Sequence, residues 1–198
     1  LSPAGHQPMF SSDKKIVTIF NGEIYNFLEI REDLKLRGHK FKSDSDTEVI
    51  LVAYEEFGEN CFEKFEGMFA IAIYDFVQKK LLLARDRMGE KPLYWTLAGK
   101  TLIFGSEMAA LTKHPLFKKE IDLFSLSKYF SFDYIPTPHT IYKNVHKLEP
   151  GTFLSFQSGE IKKKTFWRMK FGGGEENFEN ALQKLDQKLN SVTKKTLV

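Results

Sequence analysis

The chain has 198 residues, of which 42% are hydrophobic and 28% charged, as is typical of a soluble globular protein with one large domain. Its 29 basic and 26 acidic residues give a net charge of +3, which is too balanced to favour a nucleic acid or an anionic membrane as partner. No apolar run reaches membrane-spanning length. The single cysteine, Cys61, excludes an internal disulfide and indicates a reducing compartment, so we expect a cytoplasmic location.

The first informative stretch is a β-branched run at 16–20, followed by Asn21 and Gly22 and then by apolar residues at helical spacing. This pattern predicts a strand that ends before Asn21 and a helix from residue 27 that Asn26 caps. The side-chain amide of Asn21 and the backbone N–H of Gly22 are adjacent donors, which is what an oxyanion hole needs. On turn statistics alone, a plain turn is the favoured interpretation of this pair.

A second helix is predicted to begin after Ser45 and to end at Gly58. Ser45 and Glu48 have the spacing of a capping box. Asp46 falls in the first turn of this helix, where the helix dipole favours a carboxylate. Helix capping alone explains Asp46, and ligand binding is the alternative that the pattern leaves open.

The rest of the chain alternates between apolar runs and amphipathic stretches. The run at 67–75 is apolar at almost every position, which is typical of a strand covered on both faces. Helices stacked on buried sheets, an α+β architecture, account for this alternation. Further strands are predicted at 81–86, 101–104, 152–156 and 161–167, and further helices at 107–113, 122–130 and 175–198. The five histidines are isolated from one another, so we expect no metal site.

Motifs spread over nearly the whole chain together resemble the glutamine amidotransferase domain of glutamine-hydrolysing asparagine synthetases, which are class II (N-terminal-nucleophile) amidotransferases. Many motifs in series are far more specific than any one of them. The matching segments are Gly-His-Gln-Pro-Met at 5–9, Phe-Asn-Gly-Glu-Ile-Tyr-Asn at 20–26, Ser-Asp-Thr-Glu-Val-Ile-Leu at 45–51, Gly-Met-Phe-Ala at 67–70, Ser-Glu-Met at 106–108 and Lys-Leu-Glu-Pro-Gly at 147–151. The match also includes the longer segment Ala-Arg-Asp-Arg-Met-Gly-Glu-Lys-Pro-Leu-Tyr at 84–94.

The resemblance implies an αββα sandwich of two antiparallel sheets flanked by helices, incomplete at its N-terminus. It implies an amidotransferase domain at 1–170, and a linker with the first helix of a synthetase domain at 171–198. The partners of the amidotransferase domain would be glutamine and the synthetase domain of the same chain, and the family also allows a homodimer. No cofactor is implied within this chain, because ATP and Mg²⁺ belong to the synthetase domain.

The resemblance also assigns roles to four residues and resolves both alternatives left open above. Asn21 and Gly22 match the oxyanion-hole pair and contact the substrate. Glu23 and Asp46 match residues that bind glutamine, Asp46 through the α-amino group of the substrate. A carboxylate facing an ammonium group fixes the orientation of a ligand through a charge-assisted hydrogen bond.

One departure from the family pattern concerns the nucleophile, which in these enzymes is a cysteine at the mature N-terminus whose α-amine acts as base. This chain begins at Leu1, and Cys61 has no free amine. We therefore expect the 198-residue chain alone to be inactive, although the resemblance implies that it is part of an enzyme that hydrolyses glutamine and delivers ammonia for asparagine synthesis. The alternatives are a noncatalytic amidotransferase-like binding module and an amidotransferase domain that serves a different acceptor.

Overall fold

The computed structural model describes residues 5–172 and 177–196, which form two antiparallel sheets and six α-helices. The strands are β1 (Met9–Phe10), β2 (Ile16–Ile24), β3 (Gly67–Asp75), β4 (Lys80–Arg85), β5 (Tyr94–Ala98), β6 (Thr101–Gly105), β7 (Val145–Lys147), β8 (Thr152–Gln157) and β9 (Glu160–Thr165). The helices are α1 (Phe27–Leu36), α2 (Asp46–Phe57), α3 (Cys61–Lys64), α4 (Met108–Leu111), α5 (Leu123–Phe132) and α6 (Phe178–Thr196).

The larger sheet has six strands in the order β1-β2-β3-β4-β8-β9, and the smaller sheet has three in the order β6-β5-β7. Strand β3 lies inside the larger sheet, and its alternating side chains separate two cores. Phe69, Ile71 and Ile73 face a core shared with helices α1, α2 and α3. Ala70 and Ala72 face the smaller sheet instead, in a second core. This confirms the prediction of a strand buried on both faces.

Outside the smaller sheet, a third cluster places Leu111 of α4 against Ile103 and Val145. The layers therefore run helix, sheet, sheet, helix, which confirms the predicted α+β sandwich of two antiparallel sheets flanked by helices. The predicted apolar sides of α5 and α6 are exposed, as Phe130 and Leu182 illustrate. In the two described segments, no helix has the length and apolar content needed to cross a membrane.

The prediction that the first strand ends before Asn21 is wrong. Strand β2 continues to Ile24, and Asn21 and Gly22 lie opposite Ala70 and Phe69 of β3. Because a partner strand supplies hydrogen bonds to the backbone, β2 extends as far as β3 can pair with it. The two residues therefore lie inside a ladder rather than in a turn.

Both predicted capping arrangements also need correction. Asn26 precedes α1, but its side chain donates to the carbonyl of Lys64 and accepts from the N–H of Glu66, each at 2.9 Å. Ser45 does cap α2, accepting from the N–H of Thr47 at 3.1 Å. The carboxylate of Glu48, however, accepts from the backbone N–H groups of residues 42 and 43 rather than from that of Ser45.

Candidate active site

Asn21 lies where the two sheets face each other. Its cross-strand partner Ala70 belongs to the core between the sheets, so the Asn21 side chain points towards the smaller sheet. There, Asn21 Nδ2 donates to the hydroxyl of Ser106 at 3.2 Å. Both residues line a cavity of about 160 Å³ together with Leu93 and Phe104. Asn21 is exposed, and its amide is thus held at the mouth of an open cavity.

Gly22 lies at a point where β2 and β3 approach too closely for a side chain. A Cβ atom at Gly22 would lie 1.9 Å from the carbonyl oxygen of Met68 and 2.8 Å from the Cα of Phe69. On β3, a Cβ at Gly67 would lie 2.0 Å from the carbonyl oxygen of Glu23. Gly22 also has a φ of +146°, which L side chains rarely adopt. Glycine is therefore required at position 22 by both space and backbone geometry.

Asp46 begins α2, and its side chain turns back towards β2. Its Oδ2 accepts a hydrogen bond from the backbone N–H of Ile24 at 3.3 Å. Burial raises the pKa of the Asp46 carboxyl, and the nearby charge of Glu23 adds to that effect, while the bond from Ile24 opposes it. A positively charged ligand group would favour the ionised form, so this carboxylate is suited to an ammonium partner.

Gly22, Glu23 and Asp46 line one further cavity, of about 350 Å³. Its lining holds three carboxylates, those of Glu23, Asp46 and Asp44, the last of which is paired with Arg31. Together they favour a cationic ligand group. Lys195 of α6 reaches its rim but is already paired, with Glu29 at 3.1 Å and Glu66 at 3.3 Å. Because Asn21 and Gly22 are consecutive, the structure brings the four predicted residues to one segment of β2 and the helix end beside it.

A loop carboxylate that the sequence-based reasoning did not select supports this segment. Asp86 is fully buried, and its Oδ2 accepts from the N–H groups of Phe69, at 3.2 Å, and Lys91, at 2.9 Å. Its Oδ1 accepts from Met88 at 3.1 Å and Glu90 at 2.9 Å. Since Phe69 lies opposite Gly22, Asp86 ties the loop to the site strand. An Asp shortly before a glycine is a turn signal that identifies such a residue.

Replacing Asp86 with alanine should destabilise the fold strongly, because the buried N–H of Phe69 and three partly buried N–H groups of the loop lose their acceptor. We expect a loss of about 3–5 kcal/mol in the free energy of unfolding, measured by denaturant titration. Asp33→Ala is the matched control, since Asp33 makes a half-exposed i,i+4 ion pair with Arg37, worth about 0.5 kcal/mol. Equal stability losses in the two variants would contradict the supporting role of Asp86.

Cys61 lies far from this chemistry. It is fully buried in the core between the helices and the larger sheet, and burial raises the pKa of its thiol. Because the thiolate is the nucleophilic form, Cys61 is unsuited to attack a substrate. Within residues 5–172 and 177–196, no group of three or more His, Cys, Asp or Glu side chains is arranged to hold a metal ion.

The two stacked antiparallel sheets with their helices have the N-terminal-nucleophile amidotransferase fold. The solved structure of glutamine phosphoribosylpyrophosphate amidotransferase from Bacillus subtilis superposes with a TM-score of 0.56, at 20% identity over 84% of this chain and 33% of that one. A second, described as the allosteric regulatory enzyme of purine biosynthesis, has a TM-score of 0.57 at 21% identity, over 83% of this chain and 32% of that one.

The chain belongs to the family of glutamine amidotransferase domains, whose model matches residues 1–167. It is 34% identical to glutamine-hydrolysing asparagine synthetase 3 of Bacillus subtilis, over 98% of this chain and 32% of that protein. It is 39% identical to asparagine synthetase 1 of the same organism, over 84% of this chain and 26% of that protein. The chain thus spans about a quarter to a third of the length of these relatives.

Proposed function

We propose that this chain is the glutaminase part of an asparagine synthetase. It binds glutamine for hydrolysis to glutamate and ammonia, and the ammonia passes to a separate ATP-dependent domain that converts aspartate to asparagine. The observation that carries the proposal is the placement of Asn21, Gly22, Glu23 and Asp46 around one segment of β2. The similarity to glutamine-hydrolysing asparagine synthetases supports the choice of acceptor.

In this proposal the substrate lies along β2. Its α-ammonium group binds the carboxylates of Asp46 and Glu23, and its side-chain amide lies at Asn21 and Gly22. Asp46 is bonded to Ile24, three strand residues or about 10 Å from Asn21. An extended glutamine with a hydrogen bond at each end has a comparable length. The backbone spacing along β2 therefore matches the length of this substrate.

The donors at the other end act on the charge that develops during the reaction. When a nucleophile attacks the amide carbon, its carbonyl oxygen becomes an oxyanion, and the Asn21 amide and the Gly22 N–H stabilise that charge. The family resemblance assigns the nucleophile to an N-terminal cysteine of the full-length protein, with its α-amine as base. The burial of Cys61 and the raised pKa of its thiol make it unsuited to the same role.

The remaining expectations extend the same proposal. Helix α6 would be the first helix of the synthetase domain. That domain would hold ATP and Mg²⁺, which would supply the chemistry that activates aspartate as an adenylate. The Gly-rich linker predicted at 171–174 lies partly outside the described residues. A homodimer and a cytoplasmic location stay predictions.

Changing Asp46 to asparagine in the full-length protein tests the substrate site. The Michaelis constant for glutamine should rise by about tenfold to a hundredfold, because the substrate ammonium loses a charged partner. Turnover at saturating glutamine should change much less. Asparagine synthesis from added ammonia should be unaffected, because that route bypasses this domain. Steady-state kinetics with glutamine and with ammonia measure both effects.

Asp33→Asn removes a carboxylate from helix α1, which lies in the same helix layer as α2. It is the control for the loss of charge, and it should leave both reactions unchanged. If the ammonia-dependent reaction falls in parallel with the glutamine reaction, Asp46 is a structural support and our site assignment is wrong. Binding of glutamine without any hydrolysis by the full-length protein would instead favour the noncatalytic module. Hydrolysis of glutamine coupled to another acceptor would identify a different amidotransferase.

A further inference from the structure

Ser106 joins the two sheets at the point where the reaction would take place. It directly follows β6 of the smaller sheet, and its hydroxyl accepts the hydrogen bond from Asn21 Nδ2 on β2 of the larger one, at 3.2 Å. The two residues are 85 positions apart in the chain. They also line the same cavity. No other side chain in the described residues has a hydrogen bond to the Asn21 amide.

The orientation of the Asn21 amide matters because an asparagine side chain rotates broadly about its last torsion. An amide carries two N–H donors and one acceptor. If the amide turns over, its oxygen faces the position of a developing oxyanion, and like charges repel. A partner that engages one N–H group removes this freedom and leaves the second N–H group available to the substrate.

The backbone beside each partner of the Asn21–Ser106 bond is supported. Next to Ser106, Gly105 packs closely, because a Cβ added there would lie 3.1 Å from Leu111 Cδ1 of helix α4. Next to Asn21 on β2, Gln7 Oε1 accepts from the N–H of Phe20 at 2.6 Å. Both partners of the Asn21–Ser106 bond are therefore attached to supported backbone.

We propose that Ser106 is a positioning residue, which holds the Asn21 amide with an N–H group directed at the reacting carbonyl oxygen. This inference rests on the proposed function, since it requires Asn21 to stabilise the oxyanion. Ser106 itself does not touch the reacting atoms in this role. Its hydroxyl is only partly buried, so its removal leaves no fully desolvated polar group behind.

The test is a double-mutant cycle in the full-length protein, measured by steady-state glutamine hydrolysis. Ser106→Ala should lower kcat by about threefold to tenfold, as expected for one hydrogen bond between neutral groups, without raising the Michaelis constant. Ser106→Thr keeps the hydroxyl and should restore turnover. In an Asn21→Ala background, Ser106→Ala should change kcat by less than about twofold, because the group that it positions is gone.

Ser131→Ala is the matched control, since in the described part of the chain the Ser131 hydroxyl on α5 donates only to the Ser127 carbonyl at the surface. It should leave kcat unchanged. An unchanged kcat in Ser106→Ala, or an equal loss in the presence and absence of Asn21, would overturn the positioning role. A normal kcat in Asn21→Ala itself would instead remove the oxyanion assignment, and with it the proposed function of this site.

A spectroscopic measurement tests the bond without turnover. In full-length protein labelled with ¹⁵N-asparagine, the side-chain amide signals of Asn21, assigned by their loss in Asn21→Asp, report its hydrogen bond. Ser106→Ala should shift these signals, whereas Ser106→Thr and Ser131→Ala should leave them near their original positions. Signals that do not move in Ser106→Ala would show that the hydroxyl does not hold the amide.

Discussion

Replacing Asn21 with alanine in the full-length protein should lower kcat for glutamine hydrolysis by about a hundredfold to a thousandfold. In the proposed mechanism, the Asn21 amide donates to charge that exists only after the nucleophile has attacked, so its bond would strengthen in the transition state. The Michaelis constant for glutamine should change little, because Asp46 and Glu23 still bind the substrate ammonium. Steady-state kinetics separate the two constants and contrast this variant with Asp46→Asn.

Two controls accompany this measurement. Asparagine synthesis from added ammonia should survive Asn21→Ala, since that route needs no oxyanion at this site. Asn190→Ala should leave all rates unchanged, because among residues 5–172 and 177–196 the Asn190 amide bonds only to Asp186, on exposed α6. A parallel fall of the ammonia-dependent rate in Asn21→Ala would show that Asn21 supports the fold rather than the transition state.

Replacing Gly22 with alanine should destabilise the domain by about 3 kcal/mol or more. The added Cβ would lie 1.9 Å from the Met68 carbonyl oxygen, a backbone atom that cannot move aside as a flexible side chain could. A positive φ adds a cost of about 1–2 kcal/mol for an L residue. Typical domains are stable by about 5–15 kcal/mol, so the variant would lose a large part of its stability. Denaturant titration measures the change through its midpoint.

Gly99→Ala separates the two causes. Gly99 has a φ of +65°, but a Cβ there would meet nothing within 4 Å. We therefore expect a loss of only about 1–2 kcal/mol, the backbone cost alone. If Gly22→Ala is no more destabilising than Gly99→Ala, the close approach of β2 and β3 is relieved by a shift of the strands. Glutamine hydrolysis by the folded fraction would then show whether that shift disturbs the oxyanion-hole donors.

Short-range patterns in the sequence predicted much of the fold correctly. The apolar run of β3, the end of α2 at Gly58 and the helix predicted at 122–130 all appear, the last as α5 with Asp122 as its N-cap. Each depends on contacts within a few residues or on alternation along one strand, which are encoded locally. The family was also apparent from motifs spread along the chain, and the match of its model over residues 1–167 confirms it.

Tertiary structure decided the features that depend on distant partners. The end of β2 was predicted too early, because pairing with β3, more than forty residues later, determines where the ladder stops. The amide of Asn26 was assigned to its own helix, but the backbone at Lys64 and Glu66 offers a donor and an acceptor that match it. The preference of asparagine for helix N-caps reflects only its hydrogen bonds to nearby backbone groups. It therefore did not identify the distant backbone partners that the fold supplies to Asn26.

The candidate site shows the same division. Residue types and motif resemblance were sufficient to select Asn21, Gly22, Glu23 and Asp46 from the sequence. Their arrangement was not determined there, because the Asp46 bond to Ile24 joins a helix to a strand, and the Asn21 bond to Ser106 joins two sheets across 85 residues. Side chains that meet only when layers stack carry no periodic signal in the sequence, and only the packed structure brings Ser106 to the Asn21 amide.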